Sequence, residues 1–201
     1  MQNLKCKHIL TFKIGDVNEH KYIAGISEQF VLTGYRGTTT ALLARRLGVR
    51  ENVLYRVWPS KRAMFVASIH YIHEVTSASW RDYLADRPAE TDPAEWLLAH
   101  QAANHGQMRL YRIIFAGILE DDPEIHATLR QVYGEFHQTI KEILASRPNA
   151  SSSSLDPETA AWAIMGLGAI VDIQRELELS SGENRRSLFS MGGNFLIHGN
   201  K

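Results

Sequence analysis

The chain has 201 residues, 44% of them hydrophobic and 22% charged, with 22 basic side chains balanced by 22 acidic ones. That length can bury a sizeable core and admits a small domain of about 50–60 residues beside a larger one. The single cysteine, Cys6, excludes an intrachain disulfide framework and any cysteine-rich zinc site, so a reducing cytoplasm is the expected compartment.

The zero net charge hides a polarity. Residues 1–75 carry a surplus of six positive charges and residues 76–201 a surplus of six negative ones. A basic front and an acidic back point to a protein whose front alone meets a polyanion. The longest uncharged apolar run, residues 159–171, is shorter than the ~20 residues of a membrane span. Lys5, Lys7 and Lys13 interrupt residues 1–14, which makes a poor signal peptide.

Residues 1–15 read as a mobile basic arm, since the weak alternation of Ile9, Leu10, Thr11 and Phe12 has no partner strand. The first helix is expected after Asp16, with Glu19 completing a capping box and Gly34 ending it. Ile23, Ile26, Phe30 and Val31 form its apolar stripe. Two short helices around a tight turn follow within residues 38–65. Leu43 and Leu47, four apart, share one face of the first. Gly48 supplies the positive φ that closes it. Val49, Leu54 and Trp58 of the second face back toward the first, which leaves Arg50, Glu51, Asn52, Tyr55 and Arg56 outward. Arg and Asn are the residues that read guanine and adenine edges in the major groove.

Gly34-Tyr35-Arg36-Gly37-Thr38-Thr39-Thr40, Leu43-Ala44, Leu47-Gly48-Val49, Leu54-Tyr55-Arg56 and Pro59-Ser60-Lys61-Arg62-Ala63-Met64-Phe65 together resemble the N-terminal helix-turn-helix domain of TetR-family transcriptional regulators. The resemblance implies that Thr39 caps helix 2 and that Thr40 touches phosphate. It also implies that Arg50, Glu51, Asn52 and Arg56 occupy base-reading positions, and that Tyr55 and Lys61 contact the DNA backbone. Val53, Val57 and Trp58 depart from the residues common at those positions.

Beyond Trp58, Pro59-Ser60 starts a long linking helix to about Leu84, with Met64, Phe65, Ser68, Ile69 and Ile72 on its apolar face. Three Asp-Pro steps, at Asp92, Asp122 and Asp156, mark helices over about 93–105, 123–146 and 157–179. A further helix fits between Gln107 and Leu119, and a last one between Asn184 and His198. Residues 149–155, with four serines, form a flexible connector. The expected architecture is all-α with about nine helices: an arm over 1–15, a DNA-binding domain over 16–60, and an effector-binding and dimerisation domain over 61–201. The resemblance implies that the last two helices of two subunits pair into a four-helix dimer interface, although an intramolecular core would show the same pattern.

Catalytic signatures are absent or broken, so no enzyme activity and no cofactor are expected. Gly166-x-Gly168 lacks a third glycine and a preceding strand, and His70-x-x-His73 supplies only two metal ligands. A cavity among helices 5 to 8 is expected to hold a small effector, with Trp96, His100, Met108, Arg112, Phe115, Tyr133, His137, Trp162 and Met165 as candidate lining. The function expected is a homodimeric regulator, more often a repressor in such families, that binds a palindromic operator of double-stranded DNA. Two rivals stand beside it: a helical ligand-binding or enzymatic bundle that has lost DNA binding, and a pure dimerising scaffold without a cavity.

Overall fold

A computed structural model describes residues 17–104, 110–147 and 155–198. Among the described residues are nine helices and no strand. They are α1 (Val17–Gly37), α2 (Thr40–Leu47), α3 (Glu51–Val57), α4 (Lys61–Ala85), α5 (Pro93–Asn104), α6 (Leu110–Ile118), α7 (Pro123–Ala145), α8 (Pro157–Glu176) and α9 (Gly182–His198). The N-terminal arm, the Asp16 cap, Met108 and the four-serine connector lie outside the described residues.

The helix starts follow side-chain chemistry. Asp92 Oδ1 accepts from Ala94 N at 2.8 Å, Asp122 Oδ1 from Glu124 N at 3.0 Å, and Asp156 Oδ1 from Thr159 N at 3.1 Å. Each aspartate satisfies amides that the first helical turn leaves unpaired, and each following proline has no amide to lose. Two ends differ from the expected ones. α1 does break at Gly34 (φ 69°, ψ 178°), but a further turn carries it to Gly37. α8 stops at Glu176 because the chain reverses just beyond it, with Glu178 in the left-handed region (φ 53°).

α4 joins two packed layers. Its first half lies on α1, where Phe30 meets Phe65 edge-on at 4.9 Å and Tyr35 lies 5.0 Å from the same ring. Its second half lies on α7, where Trp80 packs on Phe136 at 4.6 Å. A buried ion pair closes the far end of the molecule. Arg147, at the end of α7, donates to Asp92 at 2.8 Å and to the Ile197 carbonyl at 2.8 Å. One guanidinium thereby ties the start of α5, the end of α7 and the end of α9.

Candidate nucleic-acid interface and ligand cavity

α2 and α3 are held at a fixed angle by the turn between them. Gly48 sits in the left-handed region (φ 66°, ψ 29°), and the amides of Gly48 and Val49 reach back to the carbonyls of Arg45 and Ala44 at 3.2 and 3.0 Å. Those bonds satisfy carbonyls that the end of α2 leaves open. At the other end, Thr39 caps α2 by accepting from Leu42 N at 3.1 Å. Leu43 and Leu54 are fully buried, and Leu47 rests on Gly25 of α1. Trp58 is buried too, with its indole N–H donated to Glu19 at 3.3 Å.

With Leu54 and Trp58 inward, Arg50, Glu51, Asn52, Tyr55 and Arg56 are all exposed. Among the described residues, Asn52 and Arg56 make no side-chain hydrogen bond or ion pair, so their donors face water. Glu51 is different. Its carboxylate accepts from Thr40 Oγ1 at 2.5 Å, and the Tyr55 hydroxyl donates to the same Thr40 oxygen at 3.3 Å. This chain of three pins the outer face of α3 to the start of α2. Lys61 is half-buried: its Nζ donates to the carbonyls of Tyr35 and Thr38 at 3.0 and 3.1 Å and lies 4.2 Å above the Tyr35 ring. The ammonium therefore fastens the start of α4 to the turn that follows the Gly34 break. Val53 and Val57 are half-buried against the core, which accounts for an apolar residue at each.

A narrow void of about 40 Å³ lies between α4, α5, α6, α7, α8 and α9. Its walls are almost wholly apolar, with Trp80, Leu97, Tyr111, Phe136, Ile140 and Met165 among them. Of the candidate lining residues named from sequence, Met165 is on the wall, and Met108 lies outside the described residues. The others sit elsewhere. Trp96 and His100 stack on Tyr83 at 5.0 and 3.8 Å. Arg112 pairs with Glu176. Phe115 and Trp162 are exposed, and Tyr133 and His137 pack on Trp162 at 5.9 and 4.1 Å. His100, Arg112 and His137 have polar partners in Asn104, Glu176 and Glu158, whereas the void is made mostly by aliphatic and aromatic side chains that look like plain core in the sequence. Among the described residues, no group of three His, Cys, Asp or Glu is placed to hold a metal ion. No helix there is long and apolar enough to cross a membrane.

α6 spans the distance from the void to the helix-turn-helix formed by α2 and α3. At one end Tyr111 lines the void and donates its hydroxyl to the Met165 carbonyl at 2.9 Å. Burial pushes that phenol far above its ordinary pKa, so it remains a donor. At the other end Gly117 lies against Phe65, Ile125 and Leu129. Just past α6, Glu120 pairs with Arg36 of α1 at 3.1 Å, while Asp122 and Glu124 pair with Arg62 of α4 at 3.5 and 2.8 Å.

Residues 23–68 match the family model described as bacterial regulatory proteins, tetR family. The chain is 27% identical over 139 residues to the nucleoid occlusion factor SlmA of Vibrio campbellii, covering 66% of this chain and 68% of that protein. Against SlmA of Aliivibrio fischeri it is 29% identical, and there the match spans 54% of this chain and little more than half, 57%, of the relative. Among solved structures, the reduced form of NemR from E. coli superposes with a TM-score of 0.74 at 15% identity, covering 88% of this chain and 95% of that one. The transcriptional regulator FadR from Bacillus subtilis, solved in complex with stearoyl-CoA, superposes with a TM-score of 0.71 at 12% identity over 90% and 99%. At such identities the structural likeness establishes the fold.

Proposed function

We propose, from the premise that this chain belongs to the TetR family of bacterial DNA-binding regulators, that it is a homodimeric, cytoplasmic repressor without enzymatic activity. It binds a palindromic operator and responds to a small-molecule effector. One observation carries the reading: the exposed face of α3, with Asn52 and Arg56 free to donate and Leu54 and Trp58 locked inward. Such a helix lies in a major groove, with phosphate contacts fixing register and base contacts giving sequence preference. Thr39, Thr40, Tyr55 and Lys61 flank it as phosphate-side candidates, and Arg50 and Glu51 lie with Asn52 and Arg56 on the reading side.

A second feature supports the dimer. Trp162, Ile170 and Ile173 run as an exposed apolar stripe along α8, continued by Leu177 just past its end, and Leu188, Met191 and Phe195 form another along α9. Spacings of three, four, seven and eight put each set on one face. A continuous exposed apolar face of this kind marks an interaction surface. Two copies joined there would be related by a two-fold axis, and would present their α3 helices to half-sites about one helical turn apart, ~34–36 Å, or a multiple of it. An effector in the void between α4 and α9 would act on that spacing through α6, which bears on α1 and α4 through Gly117 and the Arg36 and Arg62 ion pairs. Coupling of this sort is typically about 1–3 kcal/mol.

A gel shift against the DNA upstream of the chain's own gene, at two salt concentrations, tests the reading. The expected result is a discrete complex that weakens steeply with salt. No complex at either concentration overturns it in favour of a helical ligand receptor that no longer binds DNA. A second reading, a role in nucleoid occlusion as in the SlmA name, is favoured by a match of 139 residues, well beyond the length of 23–68. Occupancy at scattered chromosomal sites, rather than at one or two promoters, would select it.

A further inference from the structure

Beside the apolar void lies a second, polar space of about 160 Å³, bounded by α5, α8 and α9. Three guanidiniums line it, from Arg175, Arg185 and Arg186. This is unexpected in the acidic half of the chain. Arg175 is paired with Asp172 and Glu176. Arg185 donates to the Ser180 carbonyl. Among the described residues, neither Arg185 nor Arg186 has a carboxylate partner. The start of α9, at Gly182, borders the same space and adds the positive end of a helix dipole. Two guanidiniums without a carboxylate partner among the described residues, beside a helix N-terminus, give this concave space the chemistry to attract an anion.

The two spaces are neighbours. Phe189 lines both. On α5, Gln101 lines the apolar void, while Ala102 and Ala103, the next two residues, line the arginine space. Gln101 is 5% exposed, and its Oε1 is buried without a hydrogen-bond partner among the described residues. An unpaired buried acceptor costs free energy until a donor reaches it. The walls around it are almost wholly apolar.

We infer that the effector is an amphiphilic anion. Its acidic head sits among Arg175, Arg185 and Arg186, its apolar tail passes Phe189 into the void, and one hydroxyl or N–H close to the head donates to Gln101 Oε1. A hydroxylated acyl chain, as the free carboxylate or as a thioester whose head carries phosphates, has this chemistry. The void of about 40 Å³ holds only about three water-sized spheres, so a tail longer than a few carbons must displace the Phe189 ring or its neighbours. This inference rests on the reading of the bundle as an effector receptor.

The test is calorimetric titration of the full chain without DNA, so that its failure and a failed gel shift are separate results. The probes are 3-hydroxydecanoate, decanoate, 1-decanol, 3-hydroxydecanoyl-CoA and inorganic phosphate. The hydroxy acid or its CoA thioester should bind at least tenfold more tightly than decanol, and binding of the thioester alone would assign the charge to its phosphates. Arg186→Ala, an exposed position, should erase that advantage while leaving decanol unchanged. Gln101→Leu should remove the preference for the hydroxylated chain over decanoate. Equal affinity for acid and decanol, an Arg186→Ala protein that binds as before, or saturation by phosphate alone would overturn the proposal.

Discussion

Individual side chains on α3 and α4 divide into those with free donors and those already engaged. Arg56 is exposed, and among the described residues its guanidinium has no partner, so it is available to a base edge. Arg56→Ala should weaken operator binding by about 1–3 kcal/mol while leaving nonspecific binding nearly intact, measured by competition gel shift. Lys61 is already engaged, through the carbonyls of Tyr35 and Thr38. Lys61→Ala should therefore lower the melting temperature, by roughly 1–3 kcal/mol of stability, as well as weakening binding to every sequence alike. Asp172 is a third kind of case. Burial raises its carboxyl pKa above the ordinary value even with Arg175 beside it. An acid that is harder to ionise in the folded chain destabilises that chain as pH climbs from about 4, the unfolded value, through the raised folded one. Asp172→Asn should thus flatten the pH dependence of thermal stability over that window and raise the melting temperature at pH 7. The outward α3 face was legible from the sequence because helical periodicity alone fixes it once Leu54 and Trp58 face inward. The Lys61 anchor was not, since it depends on the turn that Gly34 imposes far back in the chain.

Among the elements, α6 is held in a close fit at Gly117. A Cβ added at Gly117 would stand 3.0–3.2 Å from Leu129, Phe65 and Ile125, tighter than ordinary packing. Gly117→Ala should cost about 1–3 kcal/mol of stability by chemical denaturation and alter how effector binding shifts operator affinity. The starts of α5, α7 and α8 were readable, because each Asp-Pro step is a local signal that needs no tertiary context. The lining of the void was less so. Selecting polar residues among apolar ones found His100, Arg112 and His137, which the fold spends on Tyr83, Glu176 and Trp162. The void is bounded instead by residues such as Leu97, Ile140 and Phe136, whose spacing is the same whether they enclose space or fill it. The arginine space escaped for a related reason: Arg175 and Arg185 are ten residues apart on two helices that only tertiary packing brings together.

At the scale of the whole molecule, the basic front and acidic back of the sequence correspond to the helix-turn-helix end and the remaining bundle. Joining them are α4 along its length, the packing of α6 against Phe65, and the ion pairs beside α6. The α8 and α9 stripe is an apolar feature left open, with Met191 71% and Phe195 53% exposed. Met191→Glu should leave the circular dichroism spectrum unchanged, yet give a monomer by sedimentation and lose operator binding, although α3 is untouched. That stripe also has a genetic consequence. A copy whose reading helix is crippled, such as Arg56→Ala, still offers an intact seam to its normal sibling. With both expressed equally and pairing at random, roughly three in four assemblies would contain a faulty arm. One bad allele would then silence most of the good one's output, and a second lesion at Met191 would relieve the interference.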